Sequence, residues 1–293
     1  MSESIGLYVF SGTGNTQLVA GLLEDEFIRL GADVHSERIE DVLKGEVEID
    51  PLSHSHVGIC HPILGFETPR IVYRFIDALP PAAAMPTFIV KTASDFVSLN
   101  KPASWTAIRR LRKKGHDVFY DRIVCMSPNW VTKYADIFTR QLWRAAADKA
   151  RATCRDVLSG TRRELKSNFM LIALARLSGI GEDQMMARLF GRGLRATDDC
   201  INCHKCVRNC PTDTIRVEDG RIAFGWDCIS CMRCIYACPQ RAIVPRVFKF
   251  TVVKGGYDVR GVLDNTEIDG DFVTEETRGY YRHFLDYLRD PDL

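Results

Sequence analysis

Eight of the chain's eleven cysteines fall between Cys200 and Cys238, in two runs of one spacing. Cys200, Cys203, Cys206 and Cys210 precede Pro211, and Cys228, Cys231, Cys234 and Cys238 precede Pro239. Thiolates at every third residue can be aimed by a tight loop at one iron–sulfur cubane. In this spacing the proline-terminated fourth cysteine reaches across to the neighbouring cluster. Two [4Fe-4S] clusters are therefore expected, one on Cys200, Cys203, Cys206 and Cys238, the other on Cys228, Cys231, Cys234 and Cys210. Structural zinc uses two cysteine pairs separated by a longer loop, and disulfide scaffolds are short and secreted. Neither accounts for a third cysteine at the same interval followed by Cys-Pro. A small core around two cubanes is marginal without metal, so folding here should be coupled to cluster insertion. His204, inside the first run, is a surface residue that could tie a reduction potential to pH.

A second chemistry sits near the N-terminus. The apolar, β-prone run Ile5 to Phe10 is followed at once by Ser11, Gly12, Thr13, Gly14, Asn15 and Thr16. Gln17 to Leu30 then places Leu18, Leu22, Leu23 and Phe27 at helical spacing, ended by Gly31. Strand, Gly/Thr loop and helix make an anion site, because the backbone can curl, hydroxyls can donate and the helix N-terminus offers free N–H groups. No lysine follows the second glycine, and the spacing is not G-x-G-x-x-G, so neither the triphosphate nor the dinucleotide pattern is met. Hydroxyls and amides without a cationic side chain suit a phosphate monoester such as that of FMN. The loop resembles the first loop of flavodoxins, Ser/Thr-x-Thr-Gly-x-Thr, with Ser11, Thr13, Gly14 and Thr16 at the matching positions.

The elements that must position these groups alternate as in an α/β doubly wound parallel sheet. Asp33–Ile39, Val57–Leu64, Thr87–Thr92 and Val118–Met126 read as strands two to five; Arg70–Leu79, Trp105–Lys114 and Tyr134–Leu158 read as helices. Ligands in such sheets bind outside the carboxyl ends of the strands. The wall of the flavin ring should then come from three loops: His61 and Phe66 in the first, Ser94, Asp95 and Phe96 in the second, Asn129 and Trp130 in the third. The arginines of the 134–158 helix form a basic face, solvated or docking an acidic electron-transfer partner. Phe169 to Leu189 is rich in Leu, Ile and Met and is split by Gly179 and Gly181. Packing between two domains is the favoured reading, a membrane-interface helix the other. Asp219-Gly220 signals a hairpin between the cysteine runs. Val247–Val253 alternates as a strand, and Glu275–Leu288 reads as an amphipathic helix whose aromatics pack onto the body. Cys60 and Cys125, in apolar strands, read as buried core thiols. The organisation expected is 1–160 for the FMN-binding domain, 161–197 for a helical linker, 198–245 for a small α+β two-cluster domain and 246–293 for a C-terminal strand and helix extension.

With 293 residues, 46% of them hydrophobic, the chain can build more than one core. A net charge of +1 gives no global argument for nucleic acid. The N-terminus lacks the basic and apolar regions of a signal peptide, and no apolar run approaches the ~20 residues needed to span a bilayer. A cytoplasmic, reducing compartment is expected, since oxidised cysteine pairs could not bind iron.

Over nearly its full length the chain resembles flavodoxin-ferredoxin fusion proteins of anaerobic bacteria and archaea. That resemblance implies a flavodoxin-like domain holding FMN, joined to a bacterial-type two-cluster ferredoxin domain. Free carriers of both kinds are strongly acidic, which this chain is not, and Asn202, His204, Ser230 and Arg233 stand where small residues are usual. A flavin accepts two electrons while each cubane passes one. The expectation is an electron-transfer protein or oxidoreductase component that links one- and two-electron redox protein partners. Its rivals are an FMN-dependent reductase of a quinone- or corrin-type substrate, and a ferredoxin whose flavin-free flavodoxin-like domain docks it in a larger redox complex. The sequence leaves the oligomeric state open.

Overall fold

The computed structural model describes residues 3–179 and 185–293, so Gly181 lies outside the described residues. The N-terminal half alternates β1 (Ser4–Val9), α1 (Asn15–Arg29), β2 (Asp33–Arg38), α2 (Ile39–Leu43), β3 (His56–Pro62), α3 (Arg70–Ala78), β4 (Met85–Ala93), α4 (Trp105–Lys113), β5 (His116–Cys125) and α5 (Asp136–Leu158). All neighbouring strands are parallel, in the order β2-β1-β3-β4-β5. That is the flavodoxin-like variant of the doubly wound sheet. Because successive side chains point to opposite faces, Cys60, Phe88 and Val90 enter the core that holds Val19, Leu23 and Phe27 of α1 and Ala146 and Ala150 of α5. Ile59 and Ile89 enter the other core, with Phe75 and Ile76 of α3 and Leu111 of α4. Burial on both faces is why these strands read as continuous apolar runs.

Some charge is buried too. Lys91 on β4 donates to Asp121 on β5 at 2.9 Å and to Ser104 at 2.7 Å, with both ionic side chains almost fully enclosed. His61, at the end of β3, is also fully buried, with Nδ1 3.0 Å from the Pro62 carbonyl oxygen and Nε2 without a partner. Desolvation holds its imidazole down to about 3. The unfolded chain therefore binds a proton below about pH 6.5 that the folded chain refuses, and stability falls as pH drops through that value. From pH 7 to pH 5 this histidine is expected to cost the protein about 2 kcal/mol, a loss that His61→Phe should abolish. Denaturant unfolding of both proteins at the two pH values checks this; parallel pH dependences would refute it.

The second half begins with α6 (Phe169–Gly179) and α7 (Ala187–Arg192). β6 (Leu194–Ala196) pairs antiparallel with β9 (Ile243–Pro245), so the cysteine region is closed by a strand lying before residue 198. Between them come α8 (Lys205–Arg208), the hairpin β7 (Ile215–Glu218) and β8 (Arg221–Phe224), and α9 (Arg233–Tyr236). Asp219 and Gly220 both have positive φ, as the two-residue turn demands. The rest of the chain wraps back over the sheet domain through α10 (Val259–Asp264) and α11 (Phe284–Arg289).

Three expectations are corrected. Val247–Val253 is no strand: Phe248 turns at φ 59°, Lys249–Thr251 is a 3-10 turn, and the Thr251 hydroxyl donates to the Phe248 carbonyl at 2.7 Å. Alternation alone makes no strand where no sheet edge offers a ladder. The helix expected over Glu275–Leu288 is shorter: Gly279–His283 runs as 3-10 into α11. Finally, α6 faces the body with Ala175 and Gly179, while Phe169, Met170, Leu174 and Leu177 point outward. The interdomain packing expected for those four side chains does not occur.

The C-terminal aromatics do pack as expected, with Phe284, Leu285 and Tyr287 entering a core with Tyr134, Phe138 and Leu142. Two buried cations anchor this segment. Lys149 donates to the carbonyls of Tyr287 and Asp290 at 2.9 and 2.8 Å, and Arg122 donates to that of Pro291. Burial pushes the Lys149 ammonium down to about 8.

Candidate functional site

The carboxyl ends of β1, β3, β4 and β5 open onto a crevice of about 320 Å3, within the ~300–1,000 Å3 usual for small-molecule sites. Its floor is the Ser11–Thr16 loop. Gly14, at φ 106°, turns the chain into α1, whose first turn no side chain caps, so the amides at this N-terminus remain available. The loop is stiffened from outside: the Gly14 amide donates to Ser11 Oγ at 3.2 Å, Asn15 Nδ2 to the Ser127 carbonyl at 2.8 Å, and Asn129 Nδ2 to Thr13 Oγ1 at 2.5 Å. The Thr16 and Thr92 hydroxyls meet at 2.7 Å. Uncapped amides, a curled glycine loop and hydroxyls fit a phosphate group.

Phe66 and Trp130 both line the crevice, as do Ser94 and Asn129. Phe66 rides on a two-residue turn closed by reciprocal 3.0 Å bonds between Leu64 and Glu67. Both turn residues have positive φ, 56° at Gly65 and 64° at Phe66. An aromatic residue held in that region stores on the order of 1–3 kcal/mol, and such strain concentrates at ligand sites. Asp95 and Phe96 lie elsewhere. The Asp95 carboxylate accepts from the Tyr280 hydroxyl at 2.7 Å and pairs with His283 at 3.0 Å. Phe96 stacks on Tyr287 with ring centroids 5.0 Å apart. The C-terminal segment, which has no counterpart in the strand–loop pattern, takes both residues away from the crevice. His61 is likewise sealed in the sheet.

The eight cysteines of the repeats divide into two groups around two cavities. Cys210, Cys228, Cys231 and Cys234 line one, and Cys200, Cys203, Cys206 and Cys238 line the other. Each set mixes the two motifs, as the spacing demands. Among the described residues no three His, Cys, Asp or Glu side chains converge enough to hold a single metal ion. Zn–S bonds of about 2.3 Å in a tetrahedron would bring sulfurs within about 3.8 Å of each other. Thiols ringing a cavity fit a cubane instead. Positive φ recurs at equivalent positions of the repeats, Asn202 and His204 in the first, Ser230 and Met232 in the second. Left-handed turns curl both loops inward, and the Ser230 amide donates to Cys228 Sγ at 3.4 Å. Gly191 of α7 lets a helix approach this loop; a Cβ there would stand 2.1 Å from that of Cys228.

The two sets differ in exposure. Cys203 reaches the surface, while burial pushes the thiol of Cys228 up to about 12 and those of Cys231 and Cys234 upward as well. Thiolates in that position need positive charge nearby. Lys44 donates to the Cys210 carbonyl at 3.0 Å, Arg70 to that of Cys228 at 3.1 Å, and Arg74 pairs with Asp227 at 2.7 Å. Helices α2 and α3 of the sheet domain thus clasp the inner cysteine set.

The two sites share a wall. Ile229, Ser230 and Cys231 line the crevice, and a Cβ added to Gly12 would lie 2.4 Å from the Cys231 carbonyl oxygen. Only glycine allows the loop to lie against the cysteine loop this closely. Arg233 bolts the contact. Its guanidinium donates to the carbonyls of Ser11, Gly12 (3.3 Å) and Asn209 (3.1 Å) and pairs with buried Glu40 at 2.7 Å. The loop read as lacking a cation therefore has one behind it, supplied by residue 233 and partly neutralised by Glu40. A large basic residue inside a ligand run was the available signal. Tyr257, which donates to Asn15 Oδ1 at 2.7 Å and to the Ser127 carbonyl at 2.9 Å, and Tyr236, which donates to the Asn129 carbonyl at 2.8 Å, had no signal in the sequence.

Residues 193–239 match the 4Fe-4S dicluster domain family. No curated protein matches the chain. Among solved structures, the Streptococcus pneumonia TIGR4 flavodoxin is 14% identical, with 54% of this chain and 99% of that chain covered at a TM-score of 0.39. Flavodoxin 2 from Bacillus cereus is 13% identical, with 54% and 99% covered at 0.39. The two-electron reduced Megasphaera elsdenii flavodoxin is 24% identical, with 41% and 84% covered at 0.33. The fold assignment stands on the strand order rather than on these scores.

Proposed function

We propose that this chain, a flavodoxin-like domain joined to a 4Fe-4S dicluster domain, transfers electrons between two [4Fe-4S] clusters and an FMN seated in the crevice, linking one- and two-electron redox partners. The observation that supports this most directly is the contact of Gly12 with Cys231, which sets the phosphate loop against a ligand loop of the inner cluster. The order from surface to crevice is then the Cys203-containing set, the Cys231-containing set and the flavin.

Bound FMN would supply a carrier that takes up two electrons and hands them on singly. The chain's own residues do the rest. The Ser11 to Thr16 amides and hydroxyls would bind the phosphate, Asn129 and Asn15 hold the loop in register, and Phe66 and Trp130 would exclude water from the ring. Arg233 keeps the loop carbonyls turned away from the anion by engaging them itself.

Anaerobic purification followed by iron, sulfide and flavin quantitation checks this reading. About eight iron and one FMN per chain are expected from two four-cysteine sets and one crevice, and photoreduced clusters should be reoxidised as the flavin is reduced. Eight iron without flavin would instead leave a docking domain.

A further inference from the structure

We propose that the outward face of α6 rests on an anionic lipid bilayer surface. In this helix the usual arrangement is reversed: Ala175 and Gly179 are buried against the body, while Phe169, Met170, Leu174 and Leu177 are 84%, 71%, 51% and 70% exposed. Their spacing puts them in one stripe along the helix. Four large apolar side chains in a row are more than scattered surface hydrophobics and mark a surface that something covers.

The surrounding charge says what. Between Arg162 and Arg195 the sequence carries seven basic residues against three acids; among the described ones Arg176 lies on α6 itself, whereas Arg162 is paired with Asp117 and Arg192 donates to the Phe224 carbonyl. At the rim of the stripe, Trp105 of α4 holds two guanidinium groups, Arg109 at 4.6 Å and Arg176 of α6 itself at 5.2 Å. Both arginines are exposed. A half-buried tryptophan flanked by arginines beside Leu, Met and Phe is the composition of a helix lying in the headgroup region, with apolar side chains below and cations at phosphate level. No described helix is long and apolar enough to cross a membrane, so the contact is one of resting on the surface.

Co-sedimentation of the holoprotein with vesicles tests this. Binding is expected to phosphatidylglycerol-containing vesicles and to weaken with salt and on pure phosphatidylcholine. Leu174→Glu with Leu177→Glu should weaken it about a hundredfold, since each leucine is worth about tenfold in transfer. Arg109→Glu with Arg176→Glu, which keeps the stripe, should weaken it at least about tenfold on anionic vesicles only. Unchanged cluster absorbance would show that each variant folds, and Phe169→Ser substitutes for any that does not. The proposal is overturned if the holoprotein ignores anionic vesicles, if the stripe variants bind as well as the parent, or if they instead turn a lipid-free dimer into a monomer. None of these readouts depends on flavin content, so the electron-transfer reading can fail separately.

Discussion

Cys234→Ser is expected to lower the iron content from about eight to about four per chain, with sulfide falling in step. Cys234 lines the inner cavity with Cys210, Cys228 and Cys231, next to Ile235 and Met232 of the small apolar core. Burial pushes its thiol well above the usual range, so a thiolate here would be held by bonding to iron, for which a serine offers no comparable ligand. Because the core is closed around that cavity, the variant should also lose much of the stability that cluster insertion contributes. Crossing of the motifs gives a sharper form of the test. Cys210→Ser, in the first motif, should remove the same cluster as Cys234→Ser, in the second, whereas Cys238→Ser should remove the one shared with Cys200. Paramagnetic resonance of the remaining reduced cluster distinguishes them. If Cys210→Ser and Cys200→Ser leave the same signal, the division into two crossed sets is wrong. Cys60→Ala, which alters a strand thiol in the sheet core, should leave the iron unchanged.

Arg233→Met is expected to destabilise the protein by about 3–5 kcal/mol and to slow electron exchange between clusters and flavin. The substitution removes one partner of a buried ion pair, leaving the Glu40 carboxylate, 2% exposed, with Arg38 as its remaining cation. It also strips donors from three backbone carbonyls at the contact of the two domains. Breaking a buried pair costs about 3–5 kcal/mol chiefly through the stranded charge, so Glu40→Gln in the same chain should restore part of it. Coupling of about 1–3 kcal/mol in that double-mutant cycle is expected for groups in one network. Denaturant unfolding measures the stability, and flash photoreduction the electron exchange. Full stability in the single variant would mean that Arg233 is solvated in solution, and with it the joint between loop and cluster would lose its principal fastener.

Much of this was legible because it is local. The five strands, the α1 turn and the β7–β8 hairpin follow from short-range pattern and turn chemistry. The cysteine intervals even specified a long-range fact, the crossing of the motifs, because a cubane's size limits which thiols a short loop can deliver. The expected loops with Phe66, Ser94, Asn129 and Trp130 do meet at the strand ends, since a parallel sheet brings all its carboxyl ends to one edge. Asp95 and Phe96 share that edge, yet the choice between crevice and core was made by His283, Tyr280 and Tyr287, almost two hundred residues away.

By itself, then, the sequence determined the two folds and singled out the two cysteine sets and the Ser11–Thr16 loop as the candidate sites, each encoded in residues that are neighbours along the chain or share one recurring spacing. Only the tertiary structure decided that these parts touch. The fit of Gly12 against Cys231, the reach of Arg233 to Glu40 and the outward turn of α6 depend on how two surfaces pack, and packing is a sum over contacts between distant segments that leaves no periodic trace in either one.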